Sequence, residues 1–122
     1  MKRILIVDDF EPGRLVLRKS LEKQGYVCQE AENGLEALQT LRATYFDLVI
    51  TDNTMPVMTG LEFIQFLAQQ PPAQQPPVIL LTGTPSRYLY DEARLAGAQG
   101  IFNKPYDAQI LFSEISSILQ SR

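Results

Sequence analysis

The stretch from Phe46 to Gly60 reads FDLVITDNTMPVMTG. Phe46 to Ile50 is apolar except for Asp47 and does not alternate with polar residues. A run of that kind suits a strand covered on both faces, as in a parallel sheet. Asp52 follows at its carboxyl end, and Asn53 and Thr54 supply turn chemistry. From Gly60 to Gln69 the pattern changes to helical spacing, with Leu61, Phe63, Ile64 and Leu67 recurring three or four apart. One strand, an acid at its end, a turn and a helix make one repeating unit. The rest of the chain repeats it.

Working outward, Ile4–Val7, Val78–Leu81 and Ile101-Phe102 are further apolar runs, and the more mixed Tyr26–Glu30 reads as an edge strand. Helical patterns lie between them: Arg14–Gln24 with Leu15, Leu17 and Leu21, Asn33–Ala43 with Leu35, Leu38 and Leu41, Arg87–Ala96 with Leu89, Ala93 and Leu95, and Asp107–Leu119 with Ile110, Leu111, Ile115, Ile118 and Leu119. Pro12 suits a first turn, Asn33 an N-cap, and Gly25 and Gly97 C-caps. Five strands alternating with five helices imply right-handed crossovers and helices on both faces. The expected fold is α/β, one doubly wound domain over residues 1–122 with a five-stranded parallel sheet. QQPPAQQPP, residues 69–77, reads as a polyproline II connector, with a docking motif for a proline-reading partner as its other use.

Composition narrows the function. Eleven basic and fourteen acidic residues give a net charge of −3 in 122 residues. A mildly acidic chain without a basic run speaks against direct nucleic-acid binding. There is no histidine and one cysteine, Cys28, which removes Ser-His-Asp and Cys-His catalysis, His-ligated metals and an internal disulfide. Cys28 reads as a small edge-strand hydrophobe. The apolar runs are far too short to span a membrane or to form a signal peptide, so a cytoplasmic protein without a membrane partner is expected.

The residues after each strand carry the chemistry. Asp8 and Asp9 follow Ile4–Val7, Asp52 ends the third run, Thr82 and Gly83 follow Val78–Leu81, and Lys104 and Pro105 follow Ile101–Asn103. Open α/β sheets bind ligands outside the carboxyl ends of their strands. Five polar side chains should therefore meet in one crevice. Three carboxylates there repel one another unless a lysine or a divalent cation relieves them. An all-oxygen donor set is magnesium-type. A hydroxyl and an ammonium suit the oxygens of a phosphoryl group, toward which a carboxylate can act as nucleophile. The pattern points to a magnesium-assisted phosphoryl-transfer site. Each residue also has a plain use. The acid pair could favour a helix N-terminus, Asp52 a turn, Thr82 a cap for the helix after Pro85, and Lys104 the surface; all four at strand ends together favour the site.

The Asp8-Asp9 pair, the Asp-x-x-Met-Pro-x-Met-x-Gly run from Asp52 to Gly60, Thr82-Gly83 and Lys104-Pro105 resemble the receiver domain of two-component response regulators, the CheY-like family. The resemblance covers essentially the whole chain and implies the flavodoxin-like strand order 2-1-3-4-5. It implies Asp52 as phosphoacceptor from a histidine kinase or histidine phosphotransfer protein. Magnesium would be held by Asp9, Asp52 and the main-chain carbonyl of Thr54, with Asp8 acting through water. Thr82 and Lys104 would bind the phosphoryl group, and the Lys104–Pro105 bond would be cis. The domain would promote its own phosphorylation and dephosphorylation rather than act as an enzyme on others, with Thr54 and Thr84 tuning access of water. Phosphorylation would switch the face of helix four, strand five and helix five toward a downstream effector.

Two departures from the family pattern stand out. Ile101 occupies the place of a switching aromatic, and Phe102 should face the opposite side of the strand. The last helix lacks the glutamate-leucine and arginine pattern of dimerising regulators, so a monomer or weak homodimer is expected. Tyr88 and Tyr90 are candidates for an exposed contact face, and Met55 and Met58 for packing. The chain ends at Arg122, past the fifth helix, which leaves a stand-alone receiver or a fragment of a larger response regulator or hybrid kinase. A pseudo-receiver that only binds and a magnesium-dependent phosphatase are the rival readings.

Overall fold

Ile4, Leu5, Ile6 and Val7 are all buried, and their side chains go alternately to two opposite faces. The whole architecture follows from that demand for cover on both sides. The computed structural model describes residues 1–121; Arg122, where the expected domain ends, lies outside the described residues. Strands β1 (Arg3–Val7), β2 (Val27–Ala31), β3 (Leu48–Asp52), β4 (Val78–Thr82) and β5 (Gly100–Asn103) form one parallel sheet in the order β2-β1-β3-β4-β5. Helices α1 (Glu11–Lys23), α2 (Gly34–Ala43), α3 (Gly60–Leu67), α4 (Arg87–Leu95) and α5 (Ala108–Gln120) alternate with the strands.

Leu5, Val7, Val49 and Leu80 pack with Ala37 and Leu38 of α2, Phe63, Ile64 and Leu67 of α3, and Leu89 and Ala93 of α4. Ile4, Ile6, Ile50, Ile79 and Leu81 pack with Leu17 and Leu21 of α1 and with Leu111, Ile115, Ile118 and Leu119 of α5. Each fully buried Leu, Ile or Phe contributes roughly 1.5–3 kcal/mol. These two layers therefore hold the strand ends in place. Ile101 packs on the first layer and Phe102 on the second, as strand alternation requires.

Side-chain caps start α2, α3, α4 and α5, whereas α1 follows Phe10, which offers no cap, and has Pro12 in its first turn. Asn33 accepts from the Glu36 amide at 2.9 Å, and Thr59 and Glu62 form a reciprocal capping box. Asp107 accepts from the Gln109 and Ile110 amides. Gly25 and Gly97 take the left-handed conformation at φ 96° and 108° after α1 and α4.

Three local expectations change. First, β3 begins at Leu48, because Asp47 turns to exchange hydrogen bonds with the main chain of Arg3. Phe46 is still buried beneath the Arg3 guanidinium. Second, residues 69–77 are not a continuous polyproline II connector. Pro72–Gln74 forms a 3₁₀ turn, and Gln75 Nε2 donates to the carbonyls of Ala68 and Gln70. Third, Leu15, Leu35, Leu95 and Ile110 fit the helical stripes but are exposed, Leu95 at 81%. The sheet is too narrow to cover the full width of each stripe.

Candidate functional site

Four strands deliver the site at their carboxyl ends. The Asp8 amide bonds to the Ala31 carbonyl at 3.1 Å, which extends the β1–β2 ladder up to the acid pair. Asp52 closes β3 opposite Leu81, and the Asn53 amide donates to the Leu81 carbonyl at 2.9 Å. The Lys104 amide donates to the Thr82 carbonyl at 2.8 Å, which ties the end of β5 to the end of β4. The carboxylates of Asp8, Asp9 and Asp52 offer oxygens that all lie within 4.8 Å of one another. Lys104 Nζ stands 2.7 Å from Asp52 Oδ1 and 3.5 Å from Asp8 Oδ2. The Lys104–Pro105 bond is cis. Four of the five expected side chains therefore converge directly.

Thr82 is buried at the adjacent strand end, where its hydroxyl oxygen accepts from the Thr84 amide at 3.0 Å. That oxygen anchors the turn after β4, and Ser86 rather than Thr82 caps α4. Thr54 stands in the exposed turn after Asp52. A groove of about 300 Å³ lies beside Thr82, lined by Pro85, Leu89, Tyr90 and Ile101. Tyr88 and Tyr90 are both exposed on α4, with the Arg94 guanidinium over the Tyr90 ring. Met55 is buried in the core, and Met58 packs against Gly34.

Asp8 and Asp52 are nearly closed off from solvent, whereas Asp9 is exposed. Burial pushes the Asp52 carboxyl above the ordinary carboxylate range; the Lys104 hydrogen bond offsets this in part, and the Asp8 charge adds to it. Burial also works against the Lys104 charge, but its bond to Asp52 and the field of Asp8 outweigh it and hold the ammonium above the usual lysine value. One ammonium cannot balance three carboxylates. The cluster therefore favours an added cation, and its all-oxygen donors fit a hard one such as magnesium.

The structural roles of three residues are not read from the sequence, although it places Asn53 in the turn and Gly60 in the motif. Asn53 Oδ1 accepts from the Leu61 amide at 3.0 Å and clamps the start of α3 to the end of β3. Gly60 sits so close beneath Asp52 that an added Cβ would strike the Asp52 carbonyl oxygen. Arg14 is buried at 7% exposure, and its Nη1 donates to the Asp8 main-chain carbonyl at 2.6 Å. The available signal for Arg14 was its helical face, since 14, 17 and 21 share one side of α1 with Leu17 and Leu21.

Arg14 and Arg18 also converge on Glu30, at 2.6 and 2.7 Å. The Arg18 hydrogen bond holds the Glu30 carboxyl below its ordinary value; burial opposes this, and Arg14 adds to the lowering. A lowered carboxylate stabilises the fold above its unfolded pKa and loses that contribution as pH falls through the folded value. Glu30→Gln should therefore lower the melting temperature at pH 7, and the gap from wild type should close in acid. A gap of the same size at acid and neutral pH would contradict the charge assignment. Cys28, buried on β2, has its thiol pushed up to about 11 chiefly by burial, which suits packing rather than reactivity.

The chain matches the family described as "Response regulator receiver domain" over residues 4–116. It is 34% identical to the chemotaxis protein CheY of Pseudomonas aeruginosa over 119 residues, covering 97% of this chain and 96% of that one. Among solved structures it resembles the receiver domain of a signal transduction histidine kinase from Syntrophus aciditrophicus (33% identity, TM-score 0.91, 99% and 92% covered). It also resembles the response regulator TrrA of Thermotoga maritima in complex with Mg²⁺-BeF (35% identity, TM-score 0.85, 97% and 99% covered).

Proposed function

The chain belongs to the response regulator receiver family, and from that premise we propose that Asp52 accepts a phosphoryl group from a phosphohistidine on a partner kinase or phosphotransfer protein. The observation that carries this reading is Lys104 Nζ at 2.7 Å from Asp52, inside a cluster of three carboxylates. An Asp52 carboxylate oxygen attacks phosphorus, the bond from phosphorus to the donor breaks, and the donor leaves with the bonding electron pair. The product is an acyl phosphate on Asp52.

Lys104 holds the carboxylate before transfer and turns to the phosphoryl oxygens after it. Asp9, Asp52 and the Thr54 carbonyl would hold magnesium, with Asp8 reaching it through water. When bound, the ion would neutralise charge on the phosphoryl oxygens. The Thermotoga relative, solved in complex with Mg²⁺-BeF, supports magnesium as the ion. The Thr82 hydroxyl already accepts from Thr84 and has a proton to give a phosphoryl oxygen. Its movement would draw in the turn after β4, beside the groove lined by Ile101 and Tyr90. The face of α4, β5 and α5 then changes its affinity for an effector protein. Thr54 and Thr84 flank the acyl phosphate and govern how readily water reaches it.

No helix among the described residues is long and apolar enough to cross a membrane. The test is incubation with magnesium and acetyl phosphate, followed by intact mass and peptide mapping. One acid-stable, base-labile phosphate on the Asp52 peptide is expected. Labelling elsewhere, or none, would refute the reading.

A further inference from the structure

Arg14 has no part in the proposed chemistry, yet it is among the few charged side chains the fold buries. Its guanidinium joins two elements. Nη1 donates to the Asp8 carbonyl at 2.6 Å and Nε to Glu30 of β2 at 2.6 Å. The Asp8 carbonyl and the Asp9 amide belong to one rigid peptide plane. Fixing that carbonyl fixes the plane, and with it the position of the Asp9 Cα and the axis about which the Asp9 side chain can turn. Asp8 is held from other sides as well, since its carboxylate accepts from the Phe10 amide at 3.0 Å and faces Lys104. For the Asp9 carboxylate the described residues supply no hydrogen-bond donor of their own.

We infer that Arg14 is a positioning residue for the cation end of the site: clamped by Glu30, it aims Asp9 by gripping the peptide that precedes it. The inference rests on the magnesium reading given above and adds the group that pre-sets the donors. Simple electrostatics predicts the opposite sign. A guanidinium near a cation site repels the cation, so its removal should tighten binding unless the lost geometry costs more. A purely structural arginine would change melting and leave cation affinity alone.

The test is titration of magnesium chloride alone into the full chain, followed by the amide NMR shifts of Asp9 and Asn53. Arg14→Met should bind magnesium roughly tenfold more weakly, as is usual when the group orienting a metal ligand is lost. Arg14→Lys, which can reach one acceptor but not fork between two, should lie between Arg14→Met and wild type. Equal or tighter binding in Arg14→Met overturns the inference while leaving the magnesium reading intact. If Arg14→Met does not fold, an Arg14→Lys affinity equal to wild type overturns it. Unsaturable shifts in the wild type would sink the magnesium reading itself, and the inference with it.

Discussion

Asp52→Asn is expected to take up no phosphate from acetyl phosphate and magnesium under conditions that label the wild-type chain to completion. The amide is nearly the same shape as the carboxylate and can still meet Lys104, so the fold has no reason to change. What goes is the anionic oxygen proposed to attack phosphorus, and among the described residues no other carboxylate sits 2.7 Å from the lysine. Asp8 is held by the Phe10 amide and Asp9 is exposed. Neither is poised to replace Asp52. Stability should move the other way. Burial raises the Asp52 carboxyl pKa, so its contribution to folding is present at low pH and is lost as pH rises through the folded value. At pH 7 the ionised group is therefore a cost that asparagine removes. The variant should melt no lower than wild type in the absence of magnesium, as measured by calorimetry. Residual labelling, or a markedly lower melting temperature, would contradict the role given to Asp52.

Gly60→Ala carries the largest expected loss of stability. A Cβ there would meet the Asp52 carbonyl oxygen, the Leu80 Cδ1 atom at 2.8 Å and the Asn53 Cα at 2.9 Å. Two of these three belong to the backbone and cannot rotate away. The glycine is also fixed in place, because its amide donates to the Asn53 carbonyl at 2.9 Å and the neighbouring Leu61 amide is held by Asn53 Oδ1. Moving α3 outward would break those bonds and open the layer built on Phe63 and Ile64. Overpacking of this kind costs about 3 kcal/mol, or roughly 10 °C in melting temperature. A change below about 1 kcal/mol in urea unfolding would show that α3 rides over the added methyl without strain.

The two variants probe what was legible in the sequence and what was not. Asp8, Asp9, Asp52, Thr82 and Lys104 could be found because each follows an apolar run, and a parallel sheet gathers such ends at one edge. Strand number and type were legible for the same reason. The order of the strands came from the resemblance, since the local pattern of β1 does not say which neighbours it takes. Arg14 was hidden because a charge is ordinarily read as a solvated face, although it shares a stripe with Leu17 and Leu21. Leu95 and Ile110 misled in the opposite sense, because spacing reports which residues share a face and not whether a sheet lies against it. The role of Gly60 depends on an approach between helix and strand that no spacing encodes.

The placement of β1 between β2 and β3 has a consequence for synthesis on the ribosome. Ile4 pairs with Cys28 on one side and with Leu48 on the other. A nascent chain that has emerged only through α2 holds a bare, apolar strand margin of the type that recruits other chains. Closure of the β1 margin waits for Leu48–Asp52, the segment that also brings in Asp52. Ribosome-bound intermediates with such an open margin are where chaperone engagement belongs, and the margin passes from β1 to β3 and then to β4 until Gly100–Asn103 arrives.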